Sequence, residues 1–326
     1  MDIVALCTST ALIHQPMQTL EIIAPILLLV LLGVFLARWR FLGPEFLGEL
    51  NGFIFWIALP ASLFRTAAMA GDSGPETTGI LSALLCSTFL IAVVGWLTSV
   101  ALKLPKACHG TVSQSGFRGN LAYIGLPVLS YAFRGTPGGE AHYATAAFAM
   151  GCLISIYNIL AIVVLQASRH DVSWGSLRPG VRSVLTNPLL IACLAGLALN
   201  AADLSLPRAL NDSLEALGGA AVPLSLICIG GSIAFIRIGK NIAPMVASVL
   251  LKIAVLPLLV YGLGRFLLLD PVSMRIALVF ASTPTASAAF VMARQMEGDE
   301  SVASGAIVLS TIFSVVSLFL ALWFTQ

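Results

Sequence analysis

The chain has 326 residues, of which 58% are apolar and only 10% are charged. Because a water-soluble domain carries about 25% charged residues, this composition excludes a soluble globular protein. The net charge of +2 is too small to indicate nucleic acid or another strongly acidic partner.

The N-terminal segment lacks the features of a cleaved leader. No Lys or Arg occurs before residue 20, whereas a secretory signal peptide begins with a positively charged region. The residues before Met17 are weakly patterned. We therefore expect either a disordered tail or a true start at Met17.

Ten apolar stretches follow, and most approach the length of about 20 residues that crosses the hydrocarbon core of a bilayer. The sixth is short, and the fourth and ninth are interrupted by helix-breaking residues. The sequence therefore predicts an all-α integral membrane protein with ten transmembrane helices. The stretches are 21–38, 48–68, 79–102, 109–133, 141–167, 187–202, 210–236, 241–269, 272–296 and 301–325.

The distribution of Lys and Arg near the span ends predicts the orientation, because cytoplasmic loops are enriched in both. With the N-terminus outside, ten of these residues lie in inside loops and four in outside loops. Both termini are therefore expected outside the cytoplasm, with the protein in the inner (plasma) membrane. A polar stretch at 169–186 has no helical apolar period, and we expect a cytoplasmic hinge there between the halves 1–168 and 187–326.

The two halves contain a weak internal repeat. Pro-x-Ser-Leu occurs at Pro60 and again at Pro223, an offset of 163 residues. The same offset relates Gly33 to Gly196 and Asn120 to Thr283. Because each half has an odd number of spans, the second half must enter the membrane from the opposite side. This pattern predicts two inverted five-helix repeats in which the interrupted helices 4 and 9 cross near the midplane.

The two interruptions are the strongest functional signal. A broken helix is tolerated in lipid only where protein or a water-filled cavity satisfies its freed backbone groups. Paired breaks at corresponding positions indicate the substrate site of a transporter. The half-helix N-termini carry partial positive charge and suit an anion. The candidate substrate-binding residues are Asn120, Arg118, Gly125, Pro127, Tyr123, Thr283, Pro284, Thr285, Lys252 and Asn158.

Two basic residues within the spans leave alternatives open. Arg118 directly precedes the first break and could hold an anion or pair with a carboxylate or lipid headgroup. Lys252 lies deep in the eighth span. It could neutralise a substrate, stand where another carrier holds a cation, or bind the carbonyls of a broken helix. The Ser and Thr hydroxyls near the breaks could hold Na⁺ or could bond the carbonyl one turn back.

The motifs resemble those of the auxin efflux carrier family, over roughly residues 20–326. The resemblance lies in segments 118–127, 187–190, 284–296 with 298–299, and 310–314. It implies a fold similar to that of bile acid:sodium symporters, with a scaffold of spans 1, 2, 6 and 7 and a mobile transport domain of spans 3–5 and 8–10. The short middle loop is typical of bacterial members, which are associated with malonate, malate and other small organic acids.

The predicted function is secondary transport of a small organic anion, a carboxylate, by an elevator mechanism in a lipid bilayer. The resemblance implies a homodimer formed through the scaffold. No cofactor is expected, and the coupling ion is H⁺ or Na⁺. A Na⁺-coupled symporter on the same fold is the main alternative, and a channel or receptor is another. An enzyme is not predicted, because the sequence lacks HExxH, GxSxG and paired-carboxylate motifs.

Overall fold

The computed structural model describes residues 2–69, 76–169, 182, 186–236 and 242–325, with side chains from residue 19 onwards. All regular elements within these ranges are helices, and β-structure is limited to one isolated bridge. The predicted all-α class is confirmed. Most of the predicted hinge at 169–186 lies outside the described residues, as do the inside-loop cations Arg178, Arg237 and Lys240.

Fourteen α-helices and three π-helical turns make up the described chain. The first half forms α1 (Asp2–Arg38), α2 (Pro44–Phe53), π1 (Ile54–Ala58), α3 (Leu59–Ala68), α4 (Glu76–Ala101), α5 (Lys106–Phe117), π2 (Leu121–Gly125), α6 (Leu126–Ala132) and α7 (Gly139–Ala167). The second half forms α8 (Pro188–Ala201), α9 (Arg208–Ile233), α10 (Ile242–Leu250), π3 (Leu251–Val255), α11 (Leu256–Phe266), α12 (Pro271–Ser282), α13 (Ala288–Gln295) and α14 (Glu300–Trp323).

Seven helical segments of the described chain are long and apolar enough to cross a membrane. Three shorter apolar helices, Leu121–Ala132, Pro188–Ala201 and Pro271–Ser282, coincide with the predicted fourth, sixth and ninth stretches. These are the two stretches predicted to be interrupted and the one predicted to be short. Helix α1 begins at Asp2, so the segment before Met17 continues the first helix instead of forming a disordered tail.

The π-helical turns have a common cause in the sequence. Each turn ends two residues before a proline, at Pro60, Pro127 and Pro257. Proline lacks an N–H group and its ring clashes with the carbonyl four residues earlier, so the helix widens before it. A neighbouring serine satisfies one of the freed carbonyls, because Ser317 Oγ donates to Ile253 O over 2.8 Å. Ser225 Oγ lies 3.4 Å from Tyr123 O, but its single hydroxyl proton is donated to Val222 O over 2.8 Å.

Two groups of helices pack side by side. In one group α1 lies along α9, and α8 lies along α3. The other contains α4, α5, α10, α11, α12 and α14, while α7 contacts both groups. Glycines allow the closest approaches in the first group. A Cβ atom on Gly33 would lie 2.2 Å from Ile227 O, and one on Gly196 would lie 2.4 Å from Phe64 O. The two glycines that share the 163-residue offset therefore occupy comparable contacts.

Candidate functional site

The two interrupted segments meet at their breaks. The non-helical residues 118–120 and 283–287 run antiparallel, and Gly119 pairs with Thr285 in an isolated β-bridge. Asn120 N donates to Pro284 O over 2.8 Å, and Ala286 N donates to Arg118 O over 2.9 Å. Each break thus satisfies part of the backbone of the other, as a buried interruption requires.

Helix ends of both polarities converge at this crossing. Helices α5 and α12 present their C-terminal carbonyls, and π2 and α13 present their N-termini. Asn120 caps π2, because its Oδ1 accepts a hydrogen bond from Tyr123 N at 3.3 Å. Its Nδ2 forms no hydrogen bond within the described residues. The Asn120 amide therefore leaves donors for a ligand beside the crossing.

Arg118 is only 7% exposed. Its Nη1 donates to Tyr157 O over 3.4 Å, and its Nη2 donates to Asn158 Oδ1. The ring of Tyr157 packs edge-on against Phe117, with centroids 5.8 Å apart. A guanidinium carries five N–H donors, so α7 orients Arg118 without using all of its hydrogen-bonding capacity. Asn158 thereby belongs to the same site.

Lys252 is fully buried in π3, and its Nζ donates to Ala281 O over 2.6 Å. The ammonium also adjoins the first break, since a Cβ atom on Gly119 would lie 3.3 Å from Nζ. In the described part of the chain, neither Lys252 nor Arg118 forms an ion pair with an acidic side chain. Two buried basic side chains, with no acidic partner among the described residues, therefore flank one crossing.

The threonines of the second break bond the backbone. Pro284 cannot supply the helical donor to Phe280 O four residues earlier, and Thr283 Oγ1 donates to that carbonyl over 2.7 Å instead. Thr285 Oγ1 donates to Ser115 O at the end of α5 over 2.8 Å. Both hydroxyls thus replace backbone donors lost at the breaks.

Three predicted residues follow the crossing, two in π2 and one in the first turn of α6. Gly125 allows π2 to pack on α12, because a Cβ atom there would lie 2.8 Å from the ring of Phe280. Pro127 is buried in the first turn of α6. The Tyr123 hydroxyl donates to Asn51 O over 3.2 Å and so joins π2 to α2.

Other polar groups at the crossing were not among the predicted site residues. Ser310 Oγ accepts from Thr285 N at 2.9 Å, and Gln114 Nε2 donates to Ala289 O over 3.0 Å. Near the crossing, three buried side-chain oxygens have no hydrogen-bond partner among the described residues: Gln114 Oε1, Ser115 Oγ and Ser282 Oγ. Such groups are few in native proteins. The sequence signal that could have identified these residues is that they are polar residues within an apolar span.

A cavity of about 750 Å³ lies away from the crossing, at the opposite end of α6. It opens between α3 and α9 on one side and α6 and α7 on the other, and its charged lining residues are Arg65, Arg134, Glu140 and Glu215. Its size suits a small-molecule ligand. The predicted site residues do not line it. The cavity and the crossing are therefore two separate features along the same half-helix.

Comparisons with known proteins identify relatives over nearly the whole chain. The sequence model of a family described as "Membrane transport protein" matches residues 18–322. A Rhizobium meliloti protein named "Putative malonate transporter" is 25% identical over 307 residues, which are 91% of this chain and 92% of that protein. An "Uncharacterized transporter" of Methanothermobacter thermautotrophicus is 26% identical over 304 residues, 93% of this chain and 97% of that protein.

Proposed function

The chain belongs to the membrane transport protein family that contains the auxin efflux carriers, and from this premise we propose that it is a secondary transporter of small organic anions. The observation that carries the proposal is the pair of buried cations, Arg118 and Lys252, at the crossing of the interrupted helices. An isolated charge is costly to bury unless it is paired. An anionic substrate would supply the negative charge that no described acidic side chain provides.

Asn120 and Arg118 are proposed to bind the substrate carboxylate. Asn120 and Arg118 flank Gly119 in the chain. The donors would be the Asn120 Nδ2 and the guanidinium N–H groups of Arg118 that are not used in bonds to α7. Hydrogen bonds from a cation to a carboxylate are about twice as strong as neutral ones. The N-terminus of π2 adds partial positive charge. Asn158 positions the guanidinium through its own Oδ1.

Small dicarboxylates are the proposed substrate class. A relative with 25% identity is named as a malonate transporter, and the crossing has two cations for two carboxylates. Malonate is therefore the first probe to test. Binding to the folded state should raise the melting temperature of the purified protein by mass action.

The proposed architecture is ten spans in two inverted five-helix repeats, with a scaffold of α1, α2–α3, α8 and α9. An inverted repeat relates the first span to the sixth and the second to the seventh. The packing of α1 on α9 and of α8 on α3 supports this relation, because each contact joins a first span to the second span of the other half. Gly33 and Gly196 make the close approaches in these two contacts.

Transport is proposed to follow an elevator mechanism, in which the helices around the crossing slide against the scaffold. The cavity beyond α6 supports this arrangement, because it separates α3 and α9 from α6 and α7. It would form an access route along the boundary of the two groups. A homodimer through the scaffold completes the proposal and leaves the mobile helices free to move.

Replacing Asn120 by Ala tests the binding site directly. Loss of a hydrogen bond to a charged group costs about 1.5–3 kcal/mol, so malonate uptake into proteoliposomes should fall about ten- to hundredfold. Gln295→Ala removes an exposed amide from α13 and serves as the matched control. Full uptake by a folded Asn120→Ala variant would contradict the proposed site.

Arg118→Gln tests the charge. The neutral side chain retains hydrogen-bond donors, so the variant should fold while its malonate-induced rise in melting temperature disappears. Arg265→Gln makes the same change at an exposed position and should behave as the unmodified protein. An unchanged malonate response of Arg118→Gln would exclude Arg118 from the site.

A further inference from the structure

Tyr123 connects the crossing to a helix of the proposed scaffold. Its backbone N–H donates to Asn120 Oδ1 at 3.3 Å. Its hydroxyl donates over 3.2 Å to Asn51 O, in the last turn of α2. One residue therefore separates the amide that is proposed to bind the substrate from the scaffold.

The rest of π2 packs on the helices of the crossing. A Cβ atom on Gly125 would lie 2.8 Å from the ring of Phe280 in α12 and 3.2 Å from Thr283 Cγ2 in the second break. Contacts this close hold the backbone of π2 against the crossing. The side chain of Tyr123 extends from this backbone to α2, so any sliding of the crossing along the scaffold has to break its bond to Asn51 O.

The bond to Asn51 O is built to be broken without leaving an orphan group. Asn51 is exposed, and its carbonyl also accepts from Ile54 N. Because a carbonyl has two lone pairs, Asn51 O keeps a partner when the tyrosine leaves. Exposed hydrogen bonds are characteristic of the regions of a protein that open most easily.

The bonds within the crossing have the opposite character. Thr285 Oγ1 donates to Ser115 O, and Lys252 Nζ donates to Ala281 O. Thr285 and Lys252 are both buried, so breaking either bond would leave a buried polar group unsatisfied. The crossing is therefore held together as a unit, whereas the contact at Tyr123 is exchangeable.

The Tyr123 hydroxyl is also poorly suited to bind a carboxylate. An ionised carboxylate only accepts hydrogen bonds, and a phenol has a single proton to donate. In this structure that proton goes to Asn51 O. The hydroxyl therefore has a role other than as a ligand of the substrate.

We propose that the hydrogen bond from Tyr123 to Asn51 O is a latch, which holds the crossing against the scaffold in the conformation of this structure. Tyr123 is thus a positioning residue that sets the balance between conformations. The proposal rests on the proposed transport function and names a contact that is released when the helices slide. Loss of one neutral hydrogen bond should lower the population of the latched conformation, relative to the others, about two- to tenfold.

Tyr123→Phe tests the latch, because it removes only the hydroxyl. Tyr261→Phe makes the same change at an exposed position of α11 and is the matched control. Both are made in a chain whose six cysteines are replaced by alanine. Arg134→Cys, before α7, and Asp212→Cys, in the first turns of α9, then carry spin labels at exposed positions of the two helix groups.

The first measurement is the distribution of distances between the two labels, by pulsed electron paramagnetic resonance in detergent without substrate. The population at the separation found in this structure should fall about two- to tenfold, relative to the others, in Tyr123→Phe. It should stay unchanged in Tyr261→Phe. Identical distributions in the two variants would overturn the proposal. Failure of Tyr123→Phe to fold would do the same, because the hydroxyl would then be required for folding and not for one conformation.

The second measurement is the rise in melting temperature on addition of malonate. A folded Tyr123→Phe variant should keep this rise, since Asn120 and Arg118 still bind the carboxylate. Loss of the rise would show that the hydroxyl binds the substrate and would overturn the proposal. If the unmodified protein does not respond to malonate, the proposed substrate fails, while the distance measurement still decides the role of Tyr123.

Discussion

Gly119 lies in the short antiparallel pairing of the two breaks. It pairs with Thr285, and its missing side chain leaves room for Thr283 Oγ1 and Lys252 Nζ. Its role is steric, since its backbone lies outside the positive-φ region that favours glycine. Any larger residue would push apart the groups that hold the crossing together.

Gly119→Ala should therefore impair both stability and transport. The new Cβ atom would lie 2.5 Å from Thr283 Oγ1, and overpacking of this kind costs about 1–3 kcal/mol. Malonate uptake should fall about tenfold or more, because small displacements of binding groups have large effects. Gly262→Ala in α11 is the matched control, since its Cβ would meet no atom within 4 Å. Equal melting temperatures and uptake in both variants would contradict this account.

At the scale of the elements, the proline-linked π-helical turns require partners on neighbouring helices. The turn π3 places Lys252 at the crossing, and it depends on Ser317 of α14 to satisfy Ile253 O. The turn π2 is joined to α2 by the hydrogen bond from the Tyr123 hydroxyl to Asn51 O. Ser317 supports an element of the candidate site without belonging to that site.

Ser317→Ala should destabilise the protein without removing any substrate contact. An unsatisfied buried carbonyl costs about 1–3 kcal/mol, so the melting temperature in detergent should fall. Ser205→Ala, in the exposed loop before α9, should leave it unchanged. If the two variants melt at the same temperature, Ile253 O does not depend on Ser317.

At the scale of the whole molecule, the contacts of α1 with α9 and of α8 with α3 relate the two halves of the chain. The proposed arrangement of two inverted five-span halves would place both termini on one side of the membrane. The excess of Lys and Arg in alternate loops predicts that this side is the outside.

A C-terminal reporter tests the orientation. Alkaline phosphatase fused after Gln326 should be active, because it folds outside the cytoplasm, and green fluorescent protein at the same position should be dark. A fusion at Lys103, in a predicted inside loop, should give the opposite pair of results. Fluorescence of the C-terminal fusion would contradict either the predicted orientation or the predicted number of spans.

The breaks around which the candidate site is proposed were evident from local sequence. Arg118, Asn120, Thr283 and Pro284 lie at breaks that interrupt long apolar stretches, and such breaks are readable because lipid tolerates them only under strict conditions. Whether a residue favours or interrupts a helix depends mainly on that residue and its neighbours in the chain. The sequence therefore predicted where the chain breaks and which charges lie beside the breaks.

The partners of these residues were decided by the tertiary structure. The hydrogen bonds from Lys252 Nζ to Ala281 O and from Thr285 N to Ser310 Oγ join segments that are distant in the chain. The cavity beyond α6 is also lined by segments that are distant in the chain. The sequence alone established a polytopic helical protein with two broken spans and buried positive charge. Only packing determined which carbonyl each donor meets, because helix propensity and apolar spacing act along the chain whereas a hydrogen bond depends on distances between helices.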